Sequence, residues 1–249
     1  MNTVERFSNR VENYIKYRPN YPREIVAFLT ENCGLTNHSI IADIGCGPGI
    51  SSRMFLENGN QVFGVEPNAA MRSAAEVMLG SMDFWAVDGT SDNTTLKDAS
   101  IDMAVAAQAF HWFDPETTRP EFIRILKPQG SIVLIWNERQ LDTTPFLVEY
   151  EVFLLKYSMD YAAVRHENFD AVKLRDFFQN EFGSATFSNV QVFDFDGLKG
   201  RMLSASYMPS KSDVIYAEMI DELRILFAKH AENGRINVFY DTNMYFSSV

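Results

Sequence analysis

Ala42-Asp43-Ile44-Gly45-Cys46-Gly47-Pro48-Gly49-Ile50-Ser51 is the stretch whose reading decides the fold. It continues a short apolar run, SIIADI (39–44), and leads into a helical pattern over about 50–58. A buried strand that passes through three glycines into a helix opens a βαβ unit. Gly45, Gly47 and Gly49 let the backbone turn tightly and let a ligand approach the amides of the loop, which includes Cys46. The helix that follows presents its N-terminus to the same place.

Downstream of this loop, short apolar runs keep alternating with helical patterns. Strands are predicted at 61–66, 83–87, 101–107 and 131–136, with helices at about 68–79 and 117–126 between them. Such alternation predicts a doubly wound α/β fold with a mostly parallel, Rossmann-like sheet. Beyond 137 the pattern changes. Residues 145–181 look helical, 186–196 alternates as a strand, about 213–232 is an apolar-striped helix stopped by Asn233-Gly234, and 235–248 reads as a last strand. The expectation is one domain with seven strands, in which 39–137 is the cofactor-binding core. Segments 1–38 and 140–180 are extra, the latter a helical cap, and both are free to cover the site.

Composition narrows the function classes. The chain has 249 residues, 46% of them hydrophobic, and a net charge of −11. A nucleic-acid binder normally shows a basic patch, and no basic run occurs here, so small molecules are expected as partners and nucleic acid is not. No apolar stretch approaches the ~20 residues of a membrane helix. The N-terminal text lacks the apolar run of a secretory signal. Cys33 and Cys46 have no metal-ligand spacing, so no metal is expected and a reducing cytoplasm is the default.

The glycine loop alone does not choose a cofactor, since nicotinamide enzymes use a similar turn. Here the spacing is G-x-G-x-G, and Ile50 stands where the dinucleotide pattern has its third glycine. Asp43 at the strand end would repel a pyrophosphate and attract an ammonium. Glu66, in GVEP at the end of the second strand, suits a ribose diol. Asp88, in VDGT at the end of the third, suits an exocyclic amine, with Gly89 giving close access. All three acids fall at the carboxyl edge of the sheet, where open α/β folds bind ligands.

DIGCGPG, GVEP, the VDGT acid, AFHWFD and RILKPQGSIVLIW, in that order, resemble the class I S-adenosylmethionine-dependent methyltransferase family. The resemblance is good over about 14–137 and loose beyond, and is similar to the small-molecule subgroup of trans-aconitate-type and ubiquinone- or menaquinone-biosynthesis-type enzymes. It implies that Asp43 and the loop glycines hold the methionyl part and that Glu66 binds the ribose. It also implies that Pro67 and Met71 flank the adenosine and that Asp88 with Gly89 meets the adenine. Gln108, Ala109 and His111 would lie beside the sulfonium and the acceptor. The segment NYIKYRPNYP (13–22) resembles the part that folds over the cofactor, making Tyr14, Tyr17 and Arg18 candidates.

His111 has two readings, a general base or a residue that orients its loop. Arg139, Arg165 and Arg201 are either surface arginines or partners for an acidic acceptor. The function implied is methyl transfer from S-adenosylmethionine to a small, largely hydrophobic metabolite at oxygen or carbon. Its rivals are a non-catalytic cofactor-binding regulator and a nicotinamide-dependent oxidoreductase.

Overall fold

A computed structural model of the protein describes residues 15–159, 161, 171–205 and 207–249. Tyr14 and Arg165 lie outside these described residues. After a first helix, α1 (Glu24–Cys33), come β1 (Ile40–Ile44), α2 (Ile50–Glu57), β2 (Gln61–Val65), α3 (Ala69–Leu79), β3 (Phe84–Val87) and β4 (Ile101–Ala107). A 3-10 turn (Phe110–Trp112) leads to α4 (Pro115–Ile125) and β5 (Leu126–Arg139). The remainder is α5 (Pro145–Tyr157), α6 (Ala171–Phe178), β6 (Gly183–Phe193), α7 (Phe195–Leu203), α8 (Tyr216–His230) and β7 (Ile236–Ser248).

The seven strands form one sheet in the order β3-β2-β1-β4-β5-β7-β6. β1 to β5 run parallel, and β7 is antiparallel to both β5 and β6. From β1 the chain winds outward through β2 and β3, then restarts on the other side with β4. That reversal opens a crevice between the carboxyl ends of β1 and β4, the place where doubly wound sheets bind ligands.

Period-two alternation in the central strands divides the core into two layers. Ile41, Met103 and Val133 face α1, α2 and α3, where they meet Ile25, Leu29 and Phe55. Their neighbours Ala42, Ala104 and Ile132 face α4 and α6, meeting Phe122, Leu174 and Phe177. Both faces are covered, which is why these strands read as continuous apolar runs. A third cluster lies beyond the sheet core, where α5, α7 and α8 pack together over the first turns of β7.

The extra segments therefore divide differently from the expectation. α1, within 1–38, is an ordinary sheet-covering helix, with Ile25 and Leu29 fully buried. α6, within 140–180, packs on α4 and the sheet and not with the cap. The cap is α5, α7 and α8. The last helix begins at Tyr216 and not 213, because the Asp213 carboxylate accepts from the Ser210 amide and hydroxyl in a turn of its own. Asn233 and Gly234 do not end that helix, which stops at His230. Both take positive φ in the tight turn that pairs Glu232 with Arg235 and launches β7.

Candidate active site

The glycine loop lies at the carboxyl end of β1, and each glycine has its own physical reason. Gly45, at φ +72°, abuts the loop after β4: a Cβ there would stand 2.7 Å from the Ala109 Cβ. Gly49, at φ +88°, caps α2, and a Cβ would meet Leu79 at 2.3 Å. Gly47, at φ +55°, differs from both, since a Cβ there would meet nothing within 4 Å. Gly47 is thus the glycine whose face is open to a ligand. Gly47→Ala should cost folding about 1–2 kcal/mol, from the left-handed backbone alone. It should weaken cofactor binding severalfold more than that loss explains, which calorimetry beside a thermal melt would check.

Asp43 is fully buried. Its Oδ2 accepts from the Ser51 and Ser52 hydroxyls, both at 2.6 Å, which ties the strand end to the start of α2. Its Oδ1 is buried and has no hydrogen-bond partner among the described residues. Burial pushes the Asp43 carboxyl up to about 6, against the opposing pull of the two serines. A buried carboxylate oxygen with no donor is costly, so this atom calls for an N–H or a cation from outside the chain.

Glu66, just past β2, is more occupied than expected. Its Oε2 accepts from the Gly47 amide at 3.0 Å and its Oε1 from the Asn68 amide at 2.8 Å. The side chain therefore pins the glycine loop to the start of α3, whose N-cap is Asn68. Each oxygen keeps a further lone pair, so a diol can still be accepted. Burial raises the Glu66 pKa, while the amides of Asn68 and Gly47 and the nearby Arg72 pull it back.

Asp88 is exposed and pairs with the Arg72 guanidinium at 3.1 Å, which also donates to the Glu66 carbonyl at 2.6 Å. Gly89 packs closely on the following turn: a Cβ there would meet the Thr94 carbonyl oxygen at 2.8 Å. Pro67 is partly buried, whereas Met71 is 4% exposed and turned into the protein at the first turn of α3. Cys46 is likewise buried.

Gln108 holds the carboxyl end of β4 in a left-handed conformation, φ 54°, that is strained for a residue with a side chain. Its backbone N–H donates to Ile135 at 2.8 Å and its Nε2 to the Asn137 carbonyl at 2.8 Å, so β5 enforces the geometry. Ala109 is buried against Gly45, and His111 is exposed in the 3-10 turn beside the Trp112 ring. Tyr17 and Arg18 are tied to the C-terminal half. The Tyr17 carbonyl accepts from Gln191, its ring lies on Gly200, and Arg18 donates to the Ser204 carbonyl.

Sequence reasoning missed Arg72 and the group that joins the segment around Asn20 to the sheet. The Asn189 amide donates to the Asn20 carbonyl at 2.7 Å and to Asn137 Oδ1 at 3.0 Å. Asparagines in strands carry no motif, so no sequence signal marks them. Arg72 sits one helical turn after the Asn68 cap, a place from which it reaches back to the strand ends.

Residues 42–134 match the methyltransferase domain family. A methyltransferase-like protein of Schizosaccharomyces pombe without an assigned activity is 30% identical over 158 residues, 63% of this chain and 60% of that protein. A methyltransferase of Mycobacterium bovis, also uncharacterized, is 33% identical over 133 residues, 53% of this chain and 52% of that one. The chain thus spans between half and two thirds of the length of these relatives. A proposed type II methyltransferase from Anaeromyxobacter dehalogenans, 19% identical, superposes with a TM-score of 0.69 over 93% of this chain and 98% of that one, which shows a common fold. Over residues 42–134, which hold the glycine loop, the chain is thus similar to methyltransferases in sequence, and over nearly its whole length it shares their fold.

Proposed function

We propose that the protein transfers a methyl group from S-adenosylmethionine to a small, largely hydrophobic metabolite at oxygen or carbon. The observation that carries it is the buried Oδ1 of Asp43, without a partner among the described residues, in the same loop as the open face of Gly47 at the sheet's switch point. These residues fit a ligand that brings an ammonium and no pyrophosphate. When bound, the cofactor supplies an electrophilic methyl on a sulfonium. The acceptor atom would gain that methyl as the carbon–sulfur bond broke with its electron pair left on sulfur, and a protonated acceptor would release its proton to a base or to water.

The chain's own residues then bind, orient and exclude water, since alignment is the larger part of such a displacement. Asp43 holds the ammonium, Glu66 the ribose hydroxyls, and Asp88 the adenine amine. Gln108 and Ala109 set the floor on the acceptor side. A metabolite acceptor is supported by the net charge of −11 and by the aromatic cap, where Phe146, Tyr150, Phe153 and Tyr157 are all buried. Among the described residues no helix is long and apolar enough to cross a membrane.

Incubation with methyl-labelled cofactor and a metabolite extract tests the proposal. Transfer of label to a small molecule is the expected result. Tight NAD binding with no binding of S-adenosylhomocysteine would overturn it. In this reading His111, on the exposed turn after β4, faces the acceptor. His111→Ala should lower kcat while cofactor affinity holds, and unchanged kcat would leave the histidine a loop residue only.

A further inference from the structure

At the end of β5, beneath the cap, lies a small cavity. Arg139, Tyr150, Arg201, Tyr207 and Tyr240 line it together with apolar side chains, and among the described residues no carboxylate does. Arg139 is the last residue of β5, so the cavity opens at the carboxyl edge of the sheet, the edge that also carries the glycine loop. Gln108 links the two places, because its side chain donates to Asn137, two residues before Arg139.

The two arginines are in different states. Arg139 is neutralised: it pairs with Glu151, donates to the Tyr161 hydroxyl at 2.9 Å, and stacks over the Tyr150 ring. Arg201, on α7, has no carboxylate within 4.0 Å among the described residues. Its Nε donates to the Tyr240 hydroxyl at 3.3 Å and its Nη1 to Ser204 Oγ at 3.5 Å, both long. Most of its five N–H donors are left without a strong acceptor.

Two hydroxyls on the same cavity are also unused. Tyr150 and Tyr207 make no side-chain hydrogen bond among the described residues, although Tyr150 is 4% exposed. Burial holds the Tyr150 phenol well above its ordinary range, which keeps it an O–H donor. A guanidinium with no counter-ion, and two hydroxyls with no hydrogen-bond partner, among the described residues, set in an apolar wall, are complementary to an anion. Tyr240 relays the position of Arg201 outward, since its hydroxyl donates to Gln191, which in turn donates to the Tyr17 carbonyl.

We propose that this cavity, which has room for one water-sized group, receives a carboxylate oxygen of the methyl acceptor, with Arg201 as its counter-ion and Tyr150 and Tyr207 as further donors. Resting on the methyl-transfer function proposed above, this makes the acceptor an amphipathic acid, apolar over most of its surface and anionic at one end.

The test divides a metabolite extract by anion exchange into an acidic and a neutral-plus-basic fraction, each incubated with protein and methyl-labelled cofactor. Label should enter a molecule of the acidic fraction. With Arg201→Gln, kcat/KM should fall at least tenfold, mainly through KM, the loss expected when a charge-assisted contact goes. Arg201→Lys should recover part of it, and S-adenosylhomocysteine affinity should stay within about twofold in both variants. Label only in the neutral-plus-basic fraction, or an Arg201→Gln protein as active as the parent, overturns the carboxylate site while leaving methyl transfer standing.

A second arm needs no turnover. Millimolar benzoate and succinate, titrated into the S-adenosylhomocysteine complex, should bind saturably and at least tenfold more weakly to a folded Arg201→Gln protein. Absence of saturable binding by either anion to the parent protein overturns the site. No label in any fraction, with the anions still bound through Arg201, would count against the methyltransferase activity and not against the site.

Discussion

Replacing Asp43 by Asn is expected to weaken S-adenosylhomocysteine binding about a hundredfold at pH 7.5, the upper range for losing a hydrogen bond between charged groups. It should also flatten the pH dependence of binding. In the ligand-free protein the Asp43 carboxyl titrates near 6, raised by burial from an ordinary 3.8. The shift is upward, so the contribution to folding stability is fully present below the ordinary pKa and is lost as pH rises through 6. Above that point the buried charge costs about 3 kcal/mol. An ammonium needs the ionised form. Affinity should therefore rise with pH between 5 and 7, steepest below 6 and approaching tenfold per unit there. A ligand that paired with Asp43 would also stabilise the protein more at pH 7.5 than at pH 5. Calorimetry across this range checks both, and a flat profile in the parent protein would remove Asp43 from the ligand.

Glu66→Ala is expected to reduce cofactor affinity at least tenfold and, unlike a mere contact residue, to lower the melting temperature as well. The carboxylate accepts from the Gly47 and Asn68 amides, so its removal leaves two donors unsatisfied at a largely buried position. A loss of about 2–3 kcal/mol follows, which in a chain of this length lowers Tm by several degrees. Glu66→Gln keeps one acceptor oxygen and should fall between the two. If Glu66→Ala melted with the parent protein and lost only affinity, the loop-pinning role would be wrong.

The parallel half of the sheet was legible because its strands are buried on both faces and bounded by glycine turns. β4 was read to the residue, as Ile101–Ala107 is uniformly apolar or small apart from Asp102. β5 was read as 131–136, yet it runs from Leu126 to Arg139, since the extension at its far end exists only through pairing with β7. Asp194 to Asp196 continue the alternation of β6, but Asp194 accepts from the Gly197 amide and caps α7 instead. That helix contains Gly197 and Gly200, poor helix formers, and so carried little signal of its own. Gly200 is there because the Tyr17 ring lies against it. At the site, the acids at the strand ends were visible from spacing. Their partners were not: the serines on Asp43, the amides on Glu66 and the guanidinium on Asp88 are set by how elements meet in space.

The position of β7 bears on how the chain comes to be folded during synthesis. β6 is made some forty residues before β7, yet β7 lies between it and the rest of the sheet. Until residues 236–248 have left the ribosome, β6 has no strand to pair with, and its eleven residues present an open edge to any other chain nearby. The cap waits for the same event, because Ile236, Val238 and Tyr240 form the surface on which α5, α7 and α8 close. The half that carries the glycine loop can therefore assemble early, strand by strand, while the half under the cap is completed in a single late step.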